Sequence, residues 1–153
     1  MNLRFLGTGT SFGIPVIGCR CAVCNSTDSR NRRTRHGLVL EAGDRRLLVD
    51  TPPELRLQLL AADIDRVDAV FLTHPHADHL HGIDDLRVVV INMRKRLAVW
   101  ADAPTQDALL SRFGYVFAQP EGSPYPPILE LKSIRGDVTI DGPGGPINLT
   151  PVS

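Results

Sequence analysis

The stretch His74-Pro75-His76-Ala77-Asp78-His79 constrains this chain more than any other. Four side chains able to bind a metal ion fall within six residues, soon after the apolar run Val70-Phe71-Leu72. The chain has five histidines and four lie between positions 74 and 81, so chance scatter on a polar loop is a poor account of them. The pattern predicts a short buried strand over residues 67–73, with a ligand-bearing loop at its carboxyl end. His74 and His76 stand two apart, and an extended backbone would point both to one side. Asp78 and His79 would follow at a turn and face a second ion. Imidazole together with carboxylate suits zinc, manganese or iron.

The surrounding pattern is α/β. Residues 3–6 read as a first strand, followed by a glycine-rich loop from Gly7 to about Arg35. Residues 38–41 and 46–50 alternate on either side of Ala42-Gly43-Asp44, a hairpin pattern. Pro52-Pro53 is expected to open a helix reaching about Ala62 on the stripe Leu55, Leu59, Leu60. Residues 86–91 and 97–101 read as strands or as a helix-to-strand passage. Residues 104–113 read as a helix ended by Gly114, and the proline-rich 119–127 as a loop. Strands are expected near 128–134, 138–140 and 147–152. Hairpins mixed with helices imply one domain with a mixed sheet, and 153 residues suffice for a real core.

Cys19, Cys21 and Cys24 are the chain's three cysteines, and all fall within six residues. That spacing suits three thiolates around one zinc ion, which in a structural site takes a fourth ligand. A redox CxxC pair at Cys21 and Cys24 is a rival reading, as is plain packing. His36 and His81 are the spare histidines, and neither is assigned as the fourth ligand. Seventeen basic and seventeen acidic residues leave no net charge, hence no global attraction to nucleic acid or anionic membrane. No apolar run approaches the roughly 18 residues of a membrane span. The opening residues lack a secretory apolar region, so a cytoplasmic setting is expected.

Two further features are open. Arg30, Arg32, Arg33 and Arg35 would either steer an anionic substrate or form a solvated loop with internal salt links. Gly7-Thr8-Gly9-Thr10-Ser11-Phe12-Gly13 has GxGxxxG spacing, with Pro15 and Gly18 where a dinucleotide-binding helix would open. A loop near the site mouth, offering N–H groups to a phosphate, fits better. Arg87 is expected to pair with Asp84 or Asp85.

The motif His74-x-His76-x-Asp78-His79, followed by Gly82, resembles the metal motif of the metallo-β-lactamase superfamily. The stretch Gly7–Ser11 through Gly18–Cys24, the run Arg30–Arg35 and Gly82-Ile83-Asp84-Asp85-Leu86-Arg87 resemble its branch containing the phosphonate-utilisation cyclic phosphodiesterase. The resemblance implies the αββα sandwich of that superfamily, with this chain as its N-terminal half or slightly more. It implies that His74 and His76 bind one ion and that Asp78 and His79 bind the other. Asp50, ending the strand Leu47-Leu48-Val49-Asp50, matches an acidic position that orients the metal loop through hydrogen bonds. Its alternative role is to cap the following helix. The implied cofactors are two catalytic zinc ions, with manganese as a substitute, and one structural zinc on the cysteines.

The implied activity is hydrolysis of a small cyclic phosphate or nucleotide-like ester by a metal-activated hydroxide. The alternatives are a tRNA-processing or other nuclease, which net neutrality weakly disfavours, and a non-catalytic truncated metal-binding module. A small phosphate ester is the expected partner, and a homodimer is left open. The family's third histidine, bridging aspartate and last histidine lie downstream of this motif. No histidine follows His81 here, so the 153-residue chain by itself is expected to be inactive.

Overall fold

The computed structural model describes residues 1–152. Six strands form one sheet in chain order: β1 (Asn2–Gly7), β2 (Gly37–Ala42), β3 (Arg45–Val49), β4 (Ala69–Phe71), β5 (Leu97–Ala101) and β6 (Leu129–Ser133). The helices are α1 (Leu55–Ala62), α2 (Ala77–Leu80), α3 (Leu86–Met93) and α4 (Ala103–Phe117). The pairs β1–β2 and β2–β3 are antiparallel, and β3 through β6 are parallel. Antiparallel neighbours need only a tight turn, and Gly43 at φ 60° helps make it between β2 and β3. Parallel neighbours need a crossover; α1 lies between β3 and β4, α3 between β4 and β5, and α4 between β5 and β6. The expected α/β fold with a mixed sheet is therefore present.

Alternation along the strands sorts side chains into two layers. Leu48, Val70, Leu72, Val99 and Ala101 join the large core with Leu55, Leu59, Leu86 and Leu109 of the helices. Leu47, Ala69, Phe71 and Trp100 face the other way. There they meet Ile140, Ile147 and Leu149 of a separate hairpin, β7 (Val138–Ile140) and β8 (Ile147–Leu149). Burial on both faces explains why the central strands read as nearly continuous apolar runs. Phe71 and Trp100 stack with centroids 6.2 Å apart. The buried Arg45 guanidinium donates to the carbonyls of Ile140 and Gly145, tying the hairpin to β3.

Local boundaries differ from expectation for identifiable reasons. Helix α1 begins at Leu55, because Pro52 and Pro53 form a lead-in turn in which Leu55 N donates to Pro52 O at 2.8 Å. It ends where Asp63 turns left-handed at φ 55° and Ile64 N returns to Leu59 O. Asp50 does not cap this helix; its carboxylate is engaged elsewhere. Residues 86–93 resolve as helix and 97–101 as strand. The helical run α4, capped by Asp102 at Thr105 N, is two helices joined across non-helical Phe113 (φ −130°, ψ 26°), so the first ends where the sequence predicts and a second segment continues to Phe117. The strands at 67–73 and 147–152 are shorter than expected, at 69–71 and 147–149. Among the described residues no helix is long and apolar enough to cross a membrane.

Candidate metal centre

The parallel register sets Val49 beside Phe71, so the segments leaving β3 and β4 emerge side by side at the carboxyl end of the sheet. Ligand sites in parallel sheets form at such ends. Asp50 is fully buried and sits at φ 64°, a left-handed conformation that aspartate tolerates better than most residues. Its backbone N donates to Phe71 O at 2.8 Å. Its carboxylate accepts from Thr73 N at 2.8 Å, from Thr73 Oγ1 at 3.0 Å and from His79 Nδ1 at 2.7 Å. A carboxylate only accepts, so the His79 ring carries its proton on Nδ1 and presents the Nε2 lone pair.

The loop itself is anchored from several directions. Thr51, also buried, donates its amide to His79 O at 2.8 Å and its hydroxyl to Leu80 O at 3.2 Å. Gly82 N returns to Thr51 O at 2.9 Å. A Cβ on Gly82 would collide with the Pro52 carbonyl oxygen and stand 2.9 Å from Leu55 Cβ, which is why glycine follows the histidine motif. From α4, Arg112 Nη1 donates to Pro75 O at 2.8 Å.

The donors meet as two pairs. His74 Nε2 lies 3.1 Å from His76 Nδ1, so both rings do point to one side. Asp78 Oδ2 lies 3.4 Å from His79 Nε2, on the first turn of α2 rather than in an irregular turn. Two ligand atoms each about 2.0–2.1 Å from a tetrahedral ion stand about 3.4 Å apart, so each pair matches one ion. The His74 and His79 ring centroids lie 4.0 Å apart, so the two pairs adjoin, although among the described residues no three of these donor atoms lie within 4.8 Å of one another. Burial, then the neighbouring His79 and His76, push the His74 pKa below the ordinary histidine value. That favours the neutral ring, the form that binds metal.

Cys19, Cys21 and Cys24 converge with their sulfurs all within 4.8 Å of one another, and all three are free thiols. Three sulfurs about 2.3 Å from a tetrahedral zinc stand about 3.8 Å apart, so the cluster has the right size for one ion. The loop amides assist: Cys24 N donates to Cys21 Sγ at 3.5 Å, and Val16 N to Cys24 Sγ at 3.4 Å. The Cys24 amide, then hydrogen bonds with Cys19 and Cys24, lower the Cys21 pKa to about 7. Cys24 is displaced upward: the Val16 amide lowers it, but burial and the other two sulfurs raise it more. Neither spare histidine joins the cysteines among the described residues. His36 lies 6.0 Å from the His79 ring and 6.5 Å from Phe5, at the histidine cluster, while His81 packs edge-on to Phe113 at 5.6 Å.

The arginines divide. Arg30 pairs with Asp28 at 2.6 Å, Arg35 with Glu54 at 3.3 Å and Arg87 with Asp84 at 3.1 Å. In the glycine loop the amides of Gly9 and Gly13 are engaged by Thr34 O and Thr10 O, so these two do not face a ligand. Sequence reasoning missed Thr51, Thr73 and the placement of His36. Their residue types carry no distinguishing spacing, and only the sheet register brings them to the cluster.

Residues 45–153 match the family model of the β-lactamase superfamily domain. The chain belongs to the metallo-β-lactamase superfamily. As a member it also resembles an octanoyltransferase of Porphyromonas gingivalis, with 43% identity over 142 residues, 90% of this chain and 28% of that protein. A solved diphosphatase of the PhnP family superposes with a TM-score of 0.79 at 34% identity, over 93% of this chain and 53% of that one. Zinc-bound PqqB of Methylobacterium extorquens shares the fold with a TM-score of 0.71 at 22% identity, over 92% of this chain and 48% of that one. The superfamily chain thus spans about a quarter to a half of the length of these relatives.

Proposed function

We propose that this chain carries the metal-binding half of a hydrolase that cleaves a phosphate ester, with a small cyclic phosphate or nucleotide-like phosphodiester as its substrate class. The observation that carries the reading is the pairing of His74 with His76 and of Asp78 with His79, beside a buried Asp50. In this reading each pair holds one divalent ion, with zinc expected and manganese a substitute. Cys19, Cys21 and Cys24 hold a third, structural zinc. Bound at the paired donors, two divalent ions supply a nucleophilic water near neutral pH and stabilise charge on phosphoryl oxygens.

The chain's own residues do the positioning. Asp50 fixes the His79 tautomer and turns Nε2 toward the site. Thr73 bridges that same carboxylate to His74, with its Oγ1 2.9 Å from His74 Nδ1. Asp78 adds a carboxylate able to accept a hydrogen bond from an attacking water. A reducing compartment, as expected for the cytoplasm, keeps the three thiols free for metal.

Likeness to the PhnP-family diphosphatase supports phosphate chemistry. Zero net charge weakens the nuclease reading. The test uses the gene product containing this chain, loaded with zinc or manganese and assayed on bis-p-nitrophenyl phosphate, a glutathione thioester and a β-lactam. Hydrolysis of the phosphodiester, abolished by His74→Ala, is expected. Turnover of the thioester or the lactam alone would overturn the substrate class, and no turnover of any would favour the non-catalytic module.

A further inference from the structure

Beside the end of β1 lies a concavity of about 250 Å³ lined by Phe5, Thr8, Thr34 and three arginines, Arg30, Arg32 and Arg33. Its charge is not compensated locally. Asp28 holds Arg30, but among the described residues Arg32 and Arg33 form no ion pair. Gathering guanidiniums in one concavity is unfavourable unless an anion shares it.

The segment is also held in place. Ile14 and Arg33 exchange two backbone hydrogen bonds of 2.8 Å, and Arg32 N donates to Ser29 O at 3.0 Å. Arg33 Nε donates to Arg30 O at 3.1 Å. Buried Gln58 donates to Thr34 Oγ1 at 2.9 Å and to Arg35 O at 2.8 Å. A cationic site on a fixed backbone loses less entropy on binding than one on a loose tail.

The pocket adjoins the metal centre. Phe5 lines it, its ring lies 6.5 Å from His36, and His36 lies 6.0 Å from His79, so the basic pocket stands two ring contacts from the histidine cluster. We propose that this pocket binds a phosphate group of the substrate other than the one cleaved, with Arg32 and Arg33 as its charged contacts and the Thr8 hydroxyl as a neutral donor. Guanidinium forks match phosphate oxygens in this way. The inference rests on the phosphate-ester reading above and narrows it to substrates with a second anionic phosphate.

The test is calorimetric titration of metal-free residues 1–153 with inorganic pyrophosphate at low salt, so it does not depend on hydrolysis. Saturable binding is expected. It should weaken at least about tenfold in the double variant Arg32→Ala/Arg33→Ala, as expected from losing two charged hydrogen-bonding partners. It should stay nearly unchanged in Arg87→Ala, and recover in part when lysine replaces both arginines. Circular dichroism confirms that each variant is folded. Absence of binding, or equal binding by the double variant, overturns the pocket while leaving the hydrolase reading intact. Displacement by single-stranded RNA with affinity that grows with oligonucleotide length also overturns it, in favour of a nucleic-acid surface. Pyrophosphate binding by residues 1–153, together with no phosphodiesterase activity of the metal-loaded longer gene product, would instead overturn the hydrolase reading alone.

Discussion

Asp50 and His79, separated by 29 residues, are joined by a 2.7 Å hydrogen bond from His79 Nδ1 to Asp50 Oδ2. One end of this bond lies at the close of β3 and the other on α2, so it couples the sheet directly to the donor loop. Turning one carboxylate oxygen into an amide NH2 leaves a single acceptor for Thr73 and His79 and disfavours the His79 tautomer that the carboxylate selects. We expect Asp50→Asn, which keeps the side-chain shape and tolerates the positive φ, to lower metal affinity at the histidine cluster by about 10–100-fold. Competition with a chromogenic chelator measures this, and unchanged affinity would show that Asp50 is not what orients His79.

Gly82→Ala tests the packing beneath the loop. The added methyl meets the Pro52 carbonyl and Leu55 Cβ, neither of which is a flexible side-chain end. Overpacking of this kind costs about 1–3 kcal/mol. For a domain of this size that corresponds to a thermal midpoint lower by roughly 2–12 °C. A melting curve indistinguishable from wild type would mean that the turn relaxes without cost.

The cysteine cluster should bind zinc in a way that depends on all three sulfurs. Cys21→Ser is expected to lose the tightly held zinc, read by elemental analysis, while sparing metal at the histidines. X-ray absorption should place sulfur about 2.3 Å from the ion. A disulfide found in protein purified under reducing conditions would contradict this arrangement.

Metal-free protein should show a pH-dependent contrast among these thiols. Cys21, lowered to about 7, is displaced toward the thiolate, whereas Cys24 is displaced upward. A lowered thiol pKa means that the reactive anion is already abundant at neutral pH and is lost as pH falls below that value. Iodoacetamide at pH 7 should therefore label Cys21 ahead of Cys24, with both rates falling as pH drops below 7 and the preference fading only at high pH, where Cys24 also ionises, and bound zinc should protect both. Peptide mapping reads the order; faster labelling of Cys24 would contradict it.

Residues 1–153 alone should show little or no phosphodiesterase turnover. Each ion finds two donors here, and a catalytic zinc site commonly uses three protein ligands. Turnover and two-metal occupancy equal to those of a longer gene product would refute the ligand arithmetic.

The sequence by itself determined the donor types, the strand that delivers them and the α/β class. Adjacent ligands on one loop and a period-two apolar pattern are local facts, readable without knowing which elements meet. The cysteine cluster is local in the same sense, since its three sulfurs sit within six residues. Tertiary structure decided the rest. Thr73 became the bridge between Asp50 and His74 only because β3 pairs in parallel with β4 in one register. His36 moved from a spare histidine to a neighbour of His79 because the antiparallel pairing of β1, β2 and β3 folds its segment back beside the site. Helix α4 did break at Phe113 as the sequence indicated, but a second segment carrying buried Val116 continues beyond it to Phe117. Pairing register and burial are relations between distant segments, and the free energy that selects them comes from contacts that do not exist until those segments meet.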